Sequence, residues 1–180
     1  MVVNMKVHEE HRKRGPKSLA LAIFTVSTSR YEALKRGEKV NDKSFELAKE
    51  VLEDYGHRVK IYRIIPDDEL EIALSLLNAL DDEEVQATIF IGGTGPAARD
   101  ITTKTIRRLL DKELEGFGDI FRFYSEQEVG SSAFLSNATA GIKEGKLVFC
   151  LPGSPNAVQL AIKKLIAPEL GHLIYLAKRK

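Results

Sequence analysis

The sequence predicts a single α/β domain of three layers, α/β/α, with a mostly parallel sheet. Three observations support this fold class. Segments with strand character alternate with segments of helical periodicity, which is typical of strands that run parallel. The first strand segment, LALAIFTVS at residues 19–27, is continuously apolar, as expected of a strand that helices cover on both faces. The length of 180 residues suits one domain and is short for two.

At the amino terminus we predict a flexible arm over residues 1–17, followed by one domain over residues 18–180. The arm is polar and of mixed charge. Its basic stretch RKRGPK is flanked by glutamates and lacks aromatic neighbours, which favours a solvated tail over an RNA-binding segment. Contact of the arm with a neighbouring subunit is an alternative role.

The first half of the domain is predicted to contain three strands and two helices. The apolar pattern of SFELAKEVLEDYGH is helical and ends at Gly56, a residue that suits a helix terminus. In the second helix, acidic residues occupy the first turn, and Leu70, Leu74 and Leu77 share one face. The predicted order is strand 19–27, loop 27–42, helix 44–57, strand 59–65, helix 67–80 and strand 86–91.

The second half is predicted to be helical at both ends, with two strands between. Gly145 suits the positive φ of the turn that joins these strands, and Pro168 divides the last helical region. The predicted order is helix 102–114, a short aromatic-faced helix 117–130, two strands within 138–153 and helices within 156–179. The side chains expected to point inward from the first of these helices are Ile106, Leu109, Leu110 and Leu114.

The composition argues against several functional classes. A net charge of +1 provides no overall field that attracts nucleic acid or an anionic membrane. The single cysteine, Cys150, lies in the apolar run LVFCL and is predicted to be a core residue rather than a catalytic thiol. No apolar segment has the length of a membrane span or of a signal peptide, so we expect a cytoplasmic protein. The four histidines form no metal-ligand or catalytic-triad pattern.

Four loops of unusual composition follow predicted strands: STSR, PDDE, GGTGPAARD and LPGSPNA. In a mostly parallel sheet these loops meet at one edge, where open α/β proteins bind their ligands. In the last of the four loops, Gly153 allows close approach of a ligand, and Ser154 is a donor or a helix cap. Pro155 suits the first position of the helix that follows.

The glycine loop, GGTGPAARD, is suited to an anion. Gly92, Gly93 and Gly95 let backbone amides approach a phosphate, and the next helix adds the positive end of its dipole. A tight turn without a ligand is the alternative. The spacing resembles a dinucleotide fingerprint, but the loop follows the third strand, contains Pro96 and lacks the confirming acidic residue. No Gly-Lys-Ser/Thr follows, which excludes a Walker A loop.

Two carboxylates lie beside these loops. Asp100 stands just before one predicted helix and Asp67 at the start of another, and capping is the simplest role for either one alone. Together, at the edge that holds the glycine loop, they suit Mg²⁺ bridged to phosphate oxygens. Asp68 and Glu69 are alternatives to Asp67 that the residues themselves do not separate.

From about Ser18 to about Leu170 the sequence resembles the MogA/MoaB family of molybdenum cofactor biosynthesis proteins, the molybdopterin adenylyltransferases. The resemblance is carried by TVSTSR, IIPDD, IFIGGTGPAARD, EGFGDIFRFYSEQEVGSSAFLSNATAG and LPGSPNAV. The charged arm that ends in GPKS is more similar to the MoaB branch. The segment PAARD resembles that of the active members of this branch.

The resemblance implies transfer of AMP from ATP to the terminal phosphate of molybdopterin, with release of pyrophosphate and with Mg²⁺ assisting. It places the two essential aspartates at Asp67 and Asp100, which would hold Mg²⁺ and position ATP. The residues implied to bind ATP or substrate are Ser27, Gly92, Gly93, Thr94, Gly95, Ser136, Pro152, Gly153 and Ser154. It also implies a homo-oligomer, either a trimer or a hexamer built from two trimers.

Three positions depart from the family pattern. Ile91 stands before GGTG where threonine is common, Phe45 follows NDKS where glycine is frequent, and Asn137 follows Leu-Ser where arginine is common. A non-catalytic molybdopterin-binding or scaffold protein is the alternative function. Nucleotide-dependent redox chemistry has no support beyond the imperfect glycine spacing.

Overall fold

The computed structural model describes residues 14–179, which fold around a six-stranded sheet. Its strands are β1 (Ala20–Val26), β2 (Arg58–Ile65), β3 (Val85–Ile91), β4 (Lys112–Glu113), β5 (Thr139–Lys143) and β6 (Lys146–Leu151). Their spatial order is β2-β1-β3-β6-β5-β4. The first four in this order run parallel, and β5 and β4 are antiparallel to their neighbours. The prediction of a mostly parallel sheet is confirmed.

Helices cover both faces of the sheet. The α-helices of the described residues are α1 (Thr28–Lys35), α2 (Lys43–Asp54), α3 (Glu69–Asp81), α4 (Thr102–Leu109), α5 (Glu115–Val129), α6 (Pro155–Ala161) and α7 (Leu170–Ala177). A 3-10 helix spans Gly130–Leu135, and a π-helical turn spans Ile162–Ile166. Buried side chains of α2, α5, α6 and α7 form one core with the sheet, and those of α3 and α4 form the other. The three-layer prediction is confirmed.

The continuous apolar pattern of β1 has a direct structural cause. All seven of its residues are buried, and alternate side chains enter the two cores: Leu21 and Ile23 one, Ala22 and Phe24 the other. Burial of each large side chain stabilises the fold by roughly 1.5–3 kcal/mol. Cys150 on β6 is also fully buried, and burial raises the pKa of its thiol. Its prediction as a core residue is confirmed.

The prediction of a loop over residues 27–42 is wrong in its first part, where α1 forms. Ser27 caps this helix, because its Oγ accepts a hydrogen bond from the amide of Arg30 at 3.5 Å. None of the residues of α1 is buried. The helix therefore lacks the apolar stripe by which helices are recognised in a sequence.

The helix predicted over 102–114 is wrong at its carboxyl end. α4 ends at Leu109, and the chain then forms the short edge strand β4 against β5. Leu114 precedes α5 and packs with the core opposite to that of Ile106. The apolar spacing continues past the end of α4 because Leu109 and Leu110 pack against one core and Leu114 packs against the other. The helix predicted over 117–130 is confirmed as α5, which has 15 residues.

The leucine stripe of α3 does not face the sheet. Leu70, Leu74 and Leu77 are 65%, 43% and 47% exposed, whereas Ile72 and Leu76 of the same helix are fully buried. These three leucines share one face, as predicted, and that face lies on the surface. The helix carries two apolar stripes, one against the core and one on the surface.

The predicted arm reaches the described part of the chain only at residues 14–17. There Gly15 approaches the backbone of Gly171 so closely that a Cβ atom on Gly15 would lie 2.2 Å from the Gly171 carbonyl oxygen. The rest of the arm, residues 1–13, lies outside the described residues. Its boundary remains a prediction. Within residues 14–179, no helix has both the length and the apolar character needed to cross a membrane.

His57, just after α2, gives the fold a dependence on pH. Its side chain is buried, with Nε2 3.4 Å from the Ala167 carbonyl oxygen and Nδ1 without a hydrogen-bond partner among the described residues. Burial lowers the pKa of the imidazole below its ordinary value of 6.5. Below its ordinary pKa, His57 binds a proton in the unfolded chain and remains neutral in the folded chain. Its contribution to the free energy of unfolding is therefore fully present above that pKa and decreases as the pH falls.

We therefore expect the free energy of unfolding to decrease more between about pH 7.5 and about pH 5.5 in the natural chain than in His57→Gln. Urea unfolding at the two pH values, followed by circular dichroism, measures both decreases. An equal decrease in the two proteins would exclude His57 as the source of this pH dependence.

Candidate active site

The loops that follow β1, β2, β3 and β6 lie at one edge of the sheet, because these strands run parallel. The chain leaves β1 for β2 on one side and then passes to β3 on the other side of β1. Such a change of direction opens a crevice at the carboxyl ends of the two strands. The glycine loop follows β3 and therefore lies at this crevice.

The glycine loop is held against β1 and β6 by its first residue. The amide of Gly92 donates to the Leu151 carbonyl at 2.9 Å. Gly92 and Gly93 have φ values of +111° and +65°, in the region that favours glycine. A Cβ atom on Gly92 would lie 2.5 Å from the Val26 carbonyl oxygen. Glycine is therefore required where the loop crosses the end of β1.

Asp100 bonds within its own loop instead of capping α4. Its Oδ2 accepts a hydrogen bond from the amide of Ala97 at 2.9 Å, and α4 begins after Ile101 with no side-chain cap. The same oxygen lies against Gly95, where a Cβ atom would be 2.6 Å away. Among the described residues, Oδ1 of Asp100 has no hydrogen-bond partner. The capping alternative for Asp100 is wrong, and one carboxylate oxygen remains available to a ligand.

The structure separates the three acidic residues that follow β2. Asp67 Oδ2 accepts hydrogen bonds from both the amide and the hydroxyl of Thr28, each at 2.8 Å. Asp68 caps α3 by accepting from the Glu71 amide at 3.0 Å. Glu69 forms a 2.6 Å ion pair with Arg108. Capping therefore belongs to Asp68, and Asp67 is the carboxylate that joins the loop after β2 to the loop after β1.

The structure brings most of the predicted site residues together around one open cavity of about 360 Å³. The predicted residues that line it are Gly92, Gly93, Thr94, Gly95, Asp100, Ser136, Pro152 and Gly153. Ser132 and Leu135 of the 3-10 helix also line it. Asp67, Ser27 and Ser154 are not in its lining, and Ser27 instead caps α1.

Three residues of this edge were not predicted. Thr28 holds Asp67, and the STSR segment was its only sequence signal. Ser44 donates from its hydroxyl to the Gly153 carbonyl at 2.8 Å, which ties α2 to the loop after β6. Asp42 is buried and accepts from the Tyr62 hydroxyl at 2.8 Å. Ser44 lies 109 positions from its partner, so no local pattern could indicate this contact.

The three departures from the family pattern each have a structural setting. Ile91 is fully buried in a core, so its side chain does not reach the cavity. Phe45 stacks on Tyr62 with ring centroids 3.5 Å apart and planes 12° apart. The Asn137 side-chain amide donates to the Gly95 carbonyl at 3.3 Å and supports the glycine loop.

A second cavity, of about 290 Å³, also borders Asp100. It shares Gly95 and Asp100 with the first cavity. Its other lining residues are Thr103, Lys104, Arg107 and Arg108 of α4, together with Asn137. The alternation of polar and apolar residues in α4 predicted its inward face, but did not indicate that its outward face would border the site.

The residues at this edge fit Mg²⁺, which takes oxygen ligands and relies on few protein carboxylates when phosphates complete its coordination. Asp67 and Asp100 each use one carboxylate oxygen within the protein and keep the other. The described residues contain no cluster of three or more His, Cys, Asp or Glu side chains that could hold a metal without such a substrate. These two aspartates are therefore the candidates to hold Mg²⁺ together with nucleotide phosphates.

The geometry defines an α/β protein whose glycine loop and carboxylate lie at the switch point of a parallel sheet. Residues 22–172 match the family described as "Probable molybdopterin binding domain". The chain belongs to this family.

Similar proteins agree with this assignment. The chain is 44% identical to Molybdenum cofactor biosynthesis protein B of Halalkalibacterium halodurans over 92% of its own length and 94% of the relative. It is 42% identical to a protein of Methanocaldococcus jannaschii named "Probable molybdopterin adenylyltransferase", over 88% and 93% of the two chains. The crystal structure of the tungsten cofactor synthesizing protein MoaB from Pyrococcus furiosus superposes with a TM-score of 0.79 at 37% identity, covering 91% and 99%.

Proposed function

We propose that the protein transfers AMP from ATP to the terminal phosphate of molybdopterin, with release of pyrophosphate and with the help of Mg²⁺, in the cytoplasm. The observation that carries this proposal is the glycine loop with Asp100 at its end, set at the switch point of a molybdopterin-binding family fold. The 42% identity to a protein named as an adenylyltransferase supports the same reaction.

The reaction requires positioning more than a reactive protein group. A phosphate oxygen of molybdopterin forms the new bond to the α-phosphorus of ATP, and the bond from that phosphorus to the bridging oxygen of the β-phosphate breaks. The electron pair of the broken bond remains on pyrophosphate. Because the attacking group is supplied by the substrate, the protein contributes mainly orientation and charge stabilisation.

The glycine loop supplies the orientation. Residues 92–95 line the first cavity, and three of the four are glycines, which let the backbone approach phosphate oxygens closely. Asn137 fixes the far end of these residues through the Gly95 carbonyl. We assign Ser136, Pro152 and Gly153 to the substrate wall of this cavity, and Ser27 and Ser154 to its margins.

The two aspartates are placed to hold Mg²⁺ beside the reacting phosphates. Mg²⁺, when bound, would neutralise phosphate charge and so favour attack on the α-phosphorus. Asp100 offers its free Oδ1 from the wall of the cavity, and its Oδ2 is fixed by the Ala97 amide. Asp67 is fixed by Thr28 at the neighbouring strand end.

The direct test is pyrophosphate release from ATP by the purified chain. We expect release only when molybdopterin and Mg²⁺ are both present. Absence of release under those conditions would refute the adenylyltransferase. If calorimetry then showed that molybdopterin still binds, the non-catalytic binding or scaffold function would take its place.

We also propose a homo-oligomer, a trimer or a hexamer. The apolar stripe of Leu70, Leu74 and Leu77 on α3 is exposed in the single chain, and such a surface is more stable when another subunit covers it. Leu70→Glu combined with Leu77→Glu is expected to convert the oligomer to monomers, measured by light scattering after chromatography. Leu34→Glu, at an exposed leucine of α1, is the control. A monomeric natural chain would contradict the proposal.

A further inference from the structure

The second cavity beside Asp100 differs from the first in its charge. Lys104, Arg107 and Arg108 line it from the outward face of α4. The lining of the first cavity contains no lysine or arginine among the described residues. The two cavities therefore present different chemistry beside one shared carboxylate.

Lys104 is the cation of this group with uncompensated charge. Arg107 forms a 2.8 Å ion pair with Glu113, and Arg108 pairs with Glu69. Within residues 14–179, Lys104 has no ion-pair partner, and its side chain is exposed to the cavity. A ligand in the cavity would therefore meet one free ammonium group and two guanidinium groups already paired at its margin.

The wall between the cavities is held in place by several hydrogen bonds. The Asn137 amide donates to the Thr94 carbonyl at 2.9 Å, and its side chain donates to the Gly95 carbonyl. From the other side, the Thr103 hydroxyl donates to the Asn137 carbonyl at 3.0 Å. The glycine loop and α4 are thus joined through Asn137, which fixes Lys104 relative to Asp100.

We propose that the basic cavity receives the β- and γ-phosphates of ATP and then the departing pyrophosphate, with Lys104 as a binding residue for them. This inference rests on the proposed AMP transfer. In phosphoryl and nucleotidyl transfer the attacking and leaving oxygens lie roughly in line, on opposite sides of the phosphorus. Two cavities that share Asp100 offer a separate place for each of these two groups.

Charge decides which group occupies which cavity. As the bond between the α-phosphorus and the bridging oxygen breaks, negative charge increases on that oxygen, and pyrophosphate leaves with the electron pair. An ammonium group beside the leaving group stabilises this charge. The first cavity, which is lined by glycines, serines and Pro152, then holds the α-phosphate and the attacking molybdopterin phosphate.

The test is calorimetric titration of the natural chain and of Lys104→Gln with inorganic pyrophosphate and, separately, with AMP, both in the presence of Mg²⁺. We expect the substitution to weaken pyrophosphate binding about tenfold, because one charge-assisted contact is lost. AMP lacks the β- and γ-phosphates, so its binding should change less than about twofold. Glutamine is compatible with an exposed helix position, so α4 should remain folded.

Two further variants complete the experiment. Lys104→Arg keeps the charge and should restore pyrophosphate binding to within about threefold of the natural chain. Lys49→Gln removes the same charge from an exposed position of α2, on the opposite face of the sheet, and should leave binding unchanged. Equal weakening of AMP and pyrophosphate, or no weakening of pyrophosphate by Lys104→Gln, would overturn the proposal.

The AMP-transfer assay distinguishes failure of this inference from failure of the proposed function. If the natural chain transfers AMP but does not bind pyrophosphate at millimolar concentration, the assignment of the basic cavity is wrong and the proposed function stands. If the chain does not transfer AMP but its pyrophosphate binding depends on Lys104, the proposed function is wrong and the anion site in this cavity is supported.

Discussion

Asp100→Asn is expected to reduce AMP transfer by about a hundredfold or more while the fold remains intact. Asparagine has nearly the same shape, and its carbonyl oxygen can still accept the hydrogen bond from the Ala97 amide. The substitution removes the negative charge from the wall that the two cavities share, where a cation and the α-phosphate would be held. Pyrophosphate release measures the transfer, and thermal unfolding followed by circular dichroism measures the fold.

Asp68→Asn is the matched control for this substitution. Asp68 also lies at the ligand edge, but its carboxylate caps α3 through the Glu71 amide. Asparagine caps helices about as well as aspartate, so both stability and transfer should change little, transfer by less than about threefold. Undiminished transfer in Asp100→Asn would remove Asp100 from the mechanism. A large loss in both variants would indicate a general effect of charge at this edge.

Gly92→Ala is expected to destabilise the fold by roughly 2–4 kcal/mol. The φ of +111° is one that alanine rarely adopts, and the added Cβ atom would lie 2.5 Å from the Val26 carbonyl oxygen. Relief of this contact would require the loop to move away from β1, which would strain the hydrogen bond from the Gly92 amide to Leu151. Urea unfolding at neutral pH measures the change in the free energy of unfolding.

Gly153→Ala is the control for the backbone argument. Gly153 lines the same cavity, its φ is not in the left-handed region, and the nearest atom to a Cβ there, the Cα of Gly92, would be 3.6 Å away. We expect its stability to change by less than about 1 kcal/mol. If Gly92→Ala were as stable as Gly153→Ala, the loop would be more adaptable than its contacts with β1 and β6 indicate.

Much of the fold could be predicted because the main strands and helices have strong local signals. β1 and β3 are continuous apolar runs because both of their faces are buried, and α2 has one apolar face against a core. Gly145 has a φ of +73°, as the turn between β5 and β6 requires. The glycine loop could also be recognised in the sequence, because its backbone conformation requires glycine at positions 92 and 93.

The wrong predictions share a different cause. α1 buries no residue, so no hydrophobic period could reveal it. The break after α4 was missed because the apolar pattern continues across it. The outward stripe of α3 shows the same limit, since periodicity shows that side chains share a face and does not show what that face meets. Asp68 caps α3 because the helix begins at Glu69. A sequence pattern locates a helix start only to within a few residues, so it could not choose between Asp67 and Asp68.

The sequence by itself determined the layers, the parallel strands and the glycine loop that ends at Asp100, since each follows from apolar period or from backbone requirements of neighbouring residues. Only the tertiary structure decided that Asp67 bonds to Thr28, 39 positions away, and that Ser44 holds Gly153. It also decided that Asp100 borders two cavities, one without lysine or arginine in its lining and one with three basic residues. These contacts join loops from different strands, and their distances depend on strand order and register, which no local pattern contains.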